Sequence, residues 1–296
     1  MINDEIQTLK VCYQKLQVLI LKVWLFFAGA LISGLTLAVN ISLAFRFSRG
    51  PSTLSLPEES YRLVWALLVA SAGMTVIIAS VIFGSVAQGR WETVLLYFNQ
   101  IPFGVTDPLF VLDATFYLAT LRLLQFVQGW FLSLTVVLIV AAMSLYAAVY
   151  SLRGIGFPLT GRMLKHLAAL GVLLMLFVAA GHALQVYELV MSDSGVVFGA
   201  TYTDVHARMP VLWLLTGIAG LAALGFLVSI YFVGLRLMAG AFSLWVIAML
   251  LAGFAYPLAF QRFQVEPNEF ELDRVYIQRN IEATRWAYAL DQIQES

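Results

Sequence analysis

Residues 23–45 read VWLFFAGALISGLTLAVNISLAF and contain no Asp, Glu, Lys or Arg. A helix needs about 20 apolar residues to cross the hydrocarbon core of a bilayer, so this stretch is long enough to span it. Four other stretches meet the same criterion, and a sixth is shorter with His182 as its only ionisable residue. We therefore predict an all-α integral membrane protein with six transmembrane helices, at residues 23–45, 63–87, 126–152, 167–184, 209–235 and 237–260.

The composition of the whole chain excludes several other classes of protein. Hydrophobic residues make up 61% of the sequence and charged residues 11%, well below the roughly 25% charged residues of an average soluble domain. The formal net charge is zero, so no basic patch suited to nucleic acid is expected. The single cysteine, Cys12, excludes an internal disulfide framework and a cysteine-based metal cluster.

The last two predicted spans must be separated by a turn. Residues 209–260 carry a single charge, Arg236. One straight helix of this length would measure about 78 Å at 1.5 Å per residue, far more than the thickness of a bilayer. The chain is therefore expected to turn near Gly234, Arg236 and Gly240.

The distribution of basic residues predicts the orientation of the spans, because short loops rich in Lys and Arg stay in the cytoplasm. Residues 46–62, 153–166 and the turn at Arg236 are basic, whereas the longer connections 88–125 and 185–208 contain three arginines against six acidic residues. This asymmetry predicts that both long loops, the N-terminus and the C-terminal tail lie on the extracytoplasmic side of the membrane.

The first long loop contains two candidate helix caps. Asp107 is followed by Pro108, which is typical of a helix start, because the carboxylate accepts hydrogen bonds from free N–H groups and proline has no N–H to satisfy. Asp113 is a second candidate cap. The following residues 116–126 mix aromatic and leucine side chains with one Arg and one Gln, as in an amphipathic helix lying in the membrane interface. A convergence of the two aspartates with Glu92 on a cation or a partner remains the alternative interpretation.

The second long loop contains residues with two possible uses. Asp204 is predicted to cap the fifth span and to form an ion pair with Arg208 four residues later. His182, Glu188, Asp204 and His206 are all predicted near one membrane boundary, and this combination of residue types could bind a divalent metal. Histidines at span ends are more often hydrogen-bonded interfacial residues, so no metal is expected here.

Both termini are predicted to form amphipathic helices outside the six-span domain of residues 23–260. In residues 1–22, apolar side chains recur at helical spacing, at Ile6, Leu9, Tyr13, Leu16 and Ile20. In the tail, residues 261–296, Asn268 and Glu271 after Pro267 indicate a capping box. One face of this tail helix is predicted to contain Ile277, Ile281, Thr284 and Tyr288.

Three long segments carry a family resemblance. They are RWETVLLYFNQIPFGVTDPLF (90–110), GATYTDVHARMP (199–210) and VEPNEFELDRVYIQRNIEATRWAY (265–288). The sequence resembles uncharacterised protein family 0182, a family of large bacterial multipass membrane proteins, from about residue 21 to residue 291. The resemblance implies a membrane domain normally followed by a large extracytoplasmic domain, and it implies no activity. Family members usually begin with a further span, which this sequence lacks, and a reduced membrane module is expected.

The sequence favours a non-catalytic membrane scaffold or accessory subunit, because no predicted span contains Asp, Glu, Lys or Arg. Such a subunit would bind the lipid bilayer and neighbouring membrane proteins. The candidate structural or partner-binding residues are Asp107, Asp113, Asp204, Arg208, Glu266, Asn268, Glu269 and Arg285. The alternative is a channel or transporter with a polar route past Asn40, Ser71, Thr75, Ser80 and His182. No catalytic residue and no particular cofactor is indicated.

Overall fold

The computed structural model describes residues 2–49, 57–154, 160–193, 198–232, 234–288 and 290, with side chains from Cys12 onward. Parts of the predicted loops and the end of the predicted tail lie outside the described residues, namely residues 50–56, 155–159, 194–197 and 291–296.

The described chain is helical almost throughout. Its helices are α1 (Ile2–Phe47), α2 (Glu58–Gly89), α3 (Trp91–Phe98), α4 (Leu121–Leu152), α5 (Gly161–Glu188), α6 (Met209–Phe232), α7 (Leu235–Ala248), α8 (Tyr256–Phe260) and α9 (Glu269–Ala287). Within the described residues, six helical segments are long and apolar enough to cross a membrane, and each overlaps one predicted span. They are Cys12–Phe47, Glu58–Gly89, Phe116–Leu152, Gly161–Met191, Asp204–Phe232 and Leu235–Ala287. The predicted fold class, an all-α membrane protein with six transmembrane helices, is confirmed.

Two helical boundaries differ from a simple alternation of spans and loops. Helix α1 runs through residue 22 without a break, so the N-terminal amphipathic segment and the first span form one helix of 46 residues. Helix α7 continues through α8 into α9 by way of π-helical and 3-10 turns. One of these π-helical turns, Met249–Ala255, precedes Pro257, which lacks the N–H needed for the regular α-helical ladder.

The described chain divides into two compact units. Unit 1 contains Met1–Gln100, Gly129–Leu170 and Ser229–Gly234, and unit 2 contains Ile101–Gln128, Gly171–Val228 and Leu235–Ser296.

In unit 1, α1 and α2 approach closely at small residues. A Cβ atom on Gly84 would lie 2.7 Å from the carbonyl oxygen of Phe26, and one on Gly34 would lie 2.6 Å from the hydroxyl oxygen of Ser80. Helices in membranes associate through such small residues because van der Waals contact replaces the hydrophobic driving force available in water. Ser80 and Gly84, four residues apart, lie on the face of α2 that meets α1.

Buried polar side chains join the helices of unit 1. The side-chain amide of Asn40 donates a hydrogen bond of 2.9 Å to the carbonyl oxygen of Leu138. The hydroxyl of Tyr146 lies 2.9 Å from Nδ1 of His166, and the indole of Trp130 donates to the carbonyl oxygen of Phe83. Asn40 thus connects two helices, which is the common use of an asparagine in a span.

Large apolar side chains cover the surfaces of α1 and α2 that face away from their contact. Trp24, Phe27 and Leu31 on α1 are more than half exposed, as are Met74 and Ile77 on α2. A surface this apolar is suited to lipid acyl chains and not to water.

Candidate functional site in the loop–tail cluster

Three segments of unit 2 meet in what we call the loop–tail cluster, formed by residues 101–117, 198–208 and 261–288. Parts of all three motifs that carry the family resemblance lie in this cluster. Carboxylate side chains hold its loops in place.

Asp107 organises a turn in the first loop. One carboxylate oxygen accepts backbone N–H groups of Leu109 and Phe110, each at 2.7 Å, and the other accepts the N–H of Leu112 at 2.9 Å and the hydroxyl of Tyr117 at 2.6 Å. Burial acts to raise the pKa of Asp107, but the hydrogen bonds from Tyr117 and the three backbone groups together lower this pKa below its ordinary value. The predicted helix start at Asp107 is wrong, because residues 108–110 form a turn.

Asp113 caps the helix that begins at Ala114. Its carboxylate accepts N–H groups of Phe103 at 3.1 Å, Gly104 at 2.8 Å and Thr115 at 2.8 Å. Hydrogen bonding from Thr115, followed by that from Phe103 and Gly104, lowers the pKa of Asp113 to about 2. Asp113 therefore both caps a helix and closes the loop formed by residues 103–113.

The fifth span begins with a reciprocal cap at residues 201–204. The Thr201 hydroxyl oxygen accepts the N–H of Asp204 at 3.2 Å, and the Asp204 carboxylate accepts the N–H of Thr201 at 3.1 Å. This arrangement is a capping box, so Thr201 occupies the N-cap position predicted for Asp204. Asp204 is fully buried, and its other oxygen lies 3.0 Å from a guanidinium nitrogen of Arg208. Arg208 thus compensates a buried charge, whose isolation would be strongly unfavourable.

The tail helix α9 is attached to the second loop by polar contacts. The buried carboxylate of Asp273 accepts the N–H of Tyr202 at 2.7 Å, and the side-chain amide of Asn280 donates to the carbonyl oxygen of Phe198 at 2.6 Å. Closer to the span, the hydroxyl of Thr203 donates to the side-chain oxygen of Gln261. The sequence interpretation missed Asp273 and Asn280, although their spacing of seven residues places them on one helical face.

The N-terminal cap of α9 differs from the prediction. Helix α9 begins at Glu269 as expected, but the Asn268 side chain makes no capping hydrogen bond, so the predicted capping box is absent. Glu266 and Asn268 are exposed, Glu269 is half-buried in the first turn, and Arg285 is exposed in the last turn.

The predicted apolar face of α9 is turned outward. Ile281 and Tyr288 are 52% and 76% exposed, and Phe270, which lies on the same face, is 71% exposed. The covered face carries Asp273, Tyr276 and Asn280 instead.

The four metal-ligand candidates are used separately. Among the described residues, no group of three or more His, Cys, Asp or Glu side chains could hold a metal ion. Asp204 belongs to the helix cap, and the His206 ring stacks on Tyr202 with a centroid distance of 3.9 Å. His182 and Glu188 line one cavity, but neither Asp204 nor His206 lines it.

These observations define an all-α, multipass membrane protein with an ordered loop–tail cluster. No solved structure matches the chain. The sequence matches the Uncharacterised protein family (UPF0182) over residues 6–296, and the chain belongs to this family.

Relatives in diverse bacteria carry the same family name. A UPF0182 protein of Kineococcus radiotolerans is 39% identical over 295 residues, covering 93% of this chain and 28% of the relative. Relatives from Bradyrhizobium diazoefficiens and Synechococcus sp. are each 36% identical, covering 82% and 73% of this chain and 26% and 28% of their own lengths. The chain spans about a quarter of the length of the curated relatives it matches.

Proposed function

We propose that the chain is a non-catalytic membrane scaffold or accessory subunit that binds a neighbouring membrane protein through its loops and terminal helices. The observation that carries this proposal is the uncovered apolar face of α9, formed by Phe270, Ile277, Ile281, Thr284 and Tyr288. Among its large apolar side chains, Ile277 is half-buried, and Phe270, Ile281 and Tyr288 are exposed. Because α9 is attached through its polar face, this apolar stripe stays available to another polypeptide.

The N-terminal part of α1 offers a second uncovered surface. Tyr13, Leu16 and Ile20, which recur at helical spacing, are about half exposed or more. Amphipathic helices bind partners by laying such a face into an apolar groove. The charge asymmetry of the loops favours an extracytoplasmic position for both termini and for the tail of residues 261–296.

The acidic residues of the loop–tail cluster support a structural and not a catalytic use. Asp107 and Asp113 direct their carboxylate oxygens at backbone N–H groups, and Asp204 is engaged with Thr201 and Arg208. Carboxylates occupied in this way hold loops in shape and are poorly placed to transfer protons to a substrate.

The test is a comparison of complexes purified from native membranes in a mild detergent. A variant with Phe270→Ser, Ile281→Ser and Tyr288→Ser should lose a partner that copurifies with the wild-type chain at fixed stoichiometry in native mass spectrometry. A control with Gln278→Ser and Glu282→Ser changes exposed polar residues of the same helix and should retain the partner. Recovery of the wild-type chain without a partner, or retention of the partner by the triple variant, would refute the scaffold function.

A channel or transporter is the second candidate, favoured by a cavity of about 430 Å³ in unit 1. Ser71 and Thr75 line it, but their hydroxyls donate to carbonyl oxygens of their own helix, and most other lining residues are apolar. Such a cavity suits an apolar solute better than an ion. Solute flux into vesicles reconstituted with the purified chain, reduced by Asn40→Leu, would support this candidate.

A further inference from the structure

A groove in unit 1 lies between the N-terminal part of α1 and the first residue of α3. It has a volume of about 510 Å³ and is lined by Gln14, Lys15, Val18, Leu19, Lys22 and Trp91. We call it the α1–Trp91 groove. Lys15, Val18 and Lys22 follow one another at spacings of three and four residues, so they share one face of α1.

The sequence positions this groove at a predicted membrane boundary. Lys22 directly precedes the charge-free stretch 23–45, and Trp91 follows the end of α2 at Gly89. Tryptophan is enriched at the interface between membrane and water, and a lysine near the end of a span directs its ammonium group toward that interface. Lys15 lies a further turn and a half to two turns from the span, about 10 Å along the helix. Because the headgroup region is roughly 5–8 Å thick on each side of a bilayer, the groove extends across it.

The groove carries positive charge that its surroundings do not neutralise. Among the described residues, neither Lys15 nor Lys22 forms an ion pair, and no acidic side chain lines the groove. The ammonium nitrogen of Lys22 lies 4.6 Å from the centre of the Trp91 ring, a cation–π contact that orients this half-buried lysine but leaves its charge in place. Lys15 is exposed, and a lysine side chain is a flexible stem whose ammonium group rotates its N–H donors freely. The two ammonium groups can therefore converge on one anionic group.

The remaining lining residues suit the part of a phospholipid that adjoins its phosphate. Val18, Leu19 and the Trp91 ring provide apolar surface, and the Gln14 amide provides a further hydrogen-bond donor. Basic sites at a membrane boundary attract lipids of net negative charge. A zwitterionic lipid is attracted less, because its own cationic group is repelled by the lysines. A free phosphate ion gains nothing from the apolar surface, so the combination favours an anionic lipid.

We propose that the α1–Trp91 groove binds an anionic phospholipid, whose phosphate contacts the ammonium groups of Lys15 and Lys22 and whose glycerol backbone packs on Trp91. The bound lipid joins α1 to α3 at the membrane boundary. Successive helical residues are rotated by about 100°, so the two lysines lie opposite Tyr13 and Ile20 on α1. The lipid site is thus separate from the surfaces of α1 and α9 that the scaffold function uses, and it does not depend on that function.

The experiment uses the full chain in an uncharged detergent, with fluorotryptophan in place of its seven tryptophans. The fluorine resonance of Trp91 is identified as the one that is missing from the spectrum of Trp91→Phe. Titration with a short-chain phosphatidylglycerol should shift this resonance saturably in the wild-type chain. Phosphatidylcholine with the same acyl chains, and inorganic phosphate, should cause a much smaller shift at equal concentrations.

Lys15→Gln combined with Lys22→Gln should weaken phosphatidylglycerol binding roughly thirtyfold, about five- to sixfold for each lysine at a membrane surface. Lys15→Arg combined with Lys22→Arg keeps both charges and should bind nearly as the wild-type chain does. The matched control is Arg162→Gln combined with Lys165→Gln, which removes the same charge from exposed positions at the start of α5 and should leave the affinity measured at Trp91 unchanged.

Three results would overturn the proposal. The first is the absence of a saturable shift with phosphatidylglycerol. The second is a shift of equal affinity with phosphatidylcholine or inorganic phosphate. The third is equal binding of phosphatidylglycerol by the glutamine variant of the groove and by the control variant of α5.

Discussion

Replacement of Asp273 by Ala should detach the tail helix α9 from the second loop. The buried carboxylate accepts the N–H of Tyr202 at 2.7 Å, and a hydrogen bond to a charged group contributes about 1.5–3 kcal/mol. A loss of about 2 kcal/mol shifts the equilibrium between attached and detached α9 by roughly thirtyfold. A helix of 19 residues is marginally stable in water on its own, so the detached segment should also fray.

Amide hydrogen exchange measured by mass spectrometry would detect this change directly. Exchange in residues 269–287 should accelerate roughly ten- to a hundredfold in Asp273→Ala, whereas exchange in the six spans should stay the same. Asp273→Asn keeps one acceptor oxygen and should have a smaller effect. Glu271→Ala is the control, because it removes an exposed carboxylate from the same helix. Equal exchange in Asp273→Ala and Glu271→Ala would show that the contact with Tyr202 does not hold the tail.

Two further predictions concern the first loop and the packing of α1 on α2. The pKa values of Asp107 and Asp113 are lower in the folded chain than the usual value near 4. Their contribution to stability is therefore present above about pH 4 and is lost as the pH falls through the folded-state pKa, about 2 for Asp113. Amide exchange in residues 101–115 should accelerate as the pH falls from about 4 to about 2, and the acceleration should be smaller in Asp113→Asn. Gly84→Leu should destabilise the chain by about 1–3 kcal/mol and so lower its melting temperature in detergent, because the added Cβ would lie 2.7 Å from the carbonyl oxygen of Phe26. Gly73→Leu is the control, since no atom lies within 4 Å of the Cβ added there. An equal effect at both positions would contradict this packing.

The six spans could be predicted from the sequence because a bilayer imposes a minimum length of apolar helix. Helix α6 ends at Phe232 and α7 begins at Leu235, on either side of the position where the sequence predicts a turn. The sequence did not predict that α1 continues without a break through residue 22. An amphipathic segment can join a span through a bend or as part of the same helix, and the apolar pattern is the same in both cases.

The loop–tail cluster could be predicted only in part, because the sequence shows residue types but not the backbone groups they meet. Asp107 before Pro108 resembles a helix start, yet its carboxylate closes a turn by accepting hydrogen bonds from the N–H groups of Leu109 and Leu112. The sequence likewise did not indicate which face of α9 is covered. Its covered side contains Asp273 and Asn280, which form hydrogen bonds with the N–H of Tyr202 and the carbonyl oxygen of Phe198.

The turn closed by Asp107 has a consequence for the rate and strength of any association with the first loop. Val111 within this turn has a φ of 59°, a conformation that a β-branched residue rarely adopts, and it is stable here because the neighbouring N–H groups are bound to one carboxylate. A mobile loop would lose about 1–2 kcal/mol of backbone entropy per residue on binding a partner. This loop has already lost that freedom during folding, so it presents a preorganised surface and association should resemble the docking of rigid bodies.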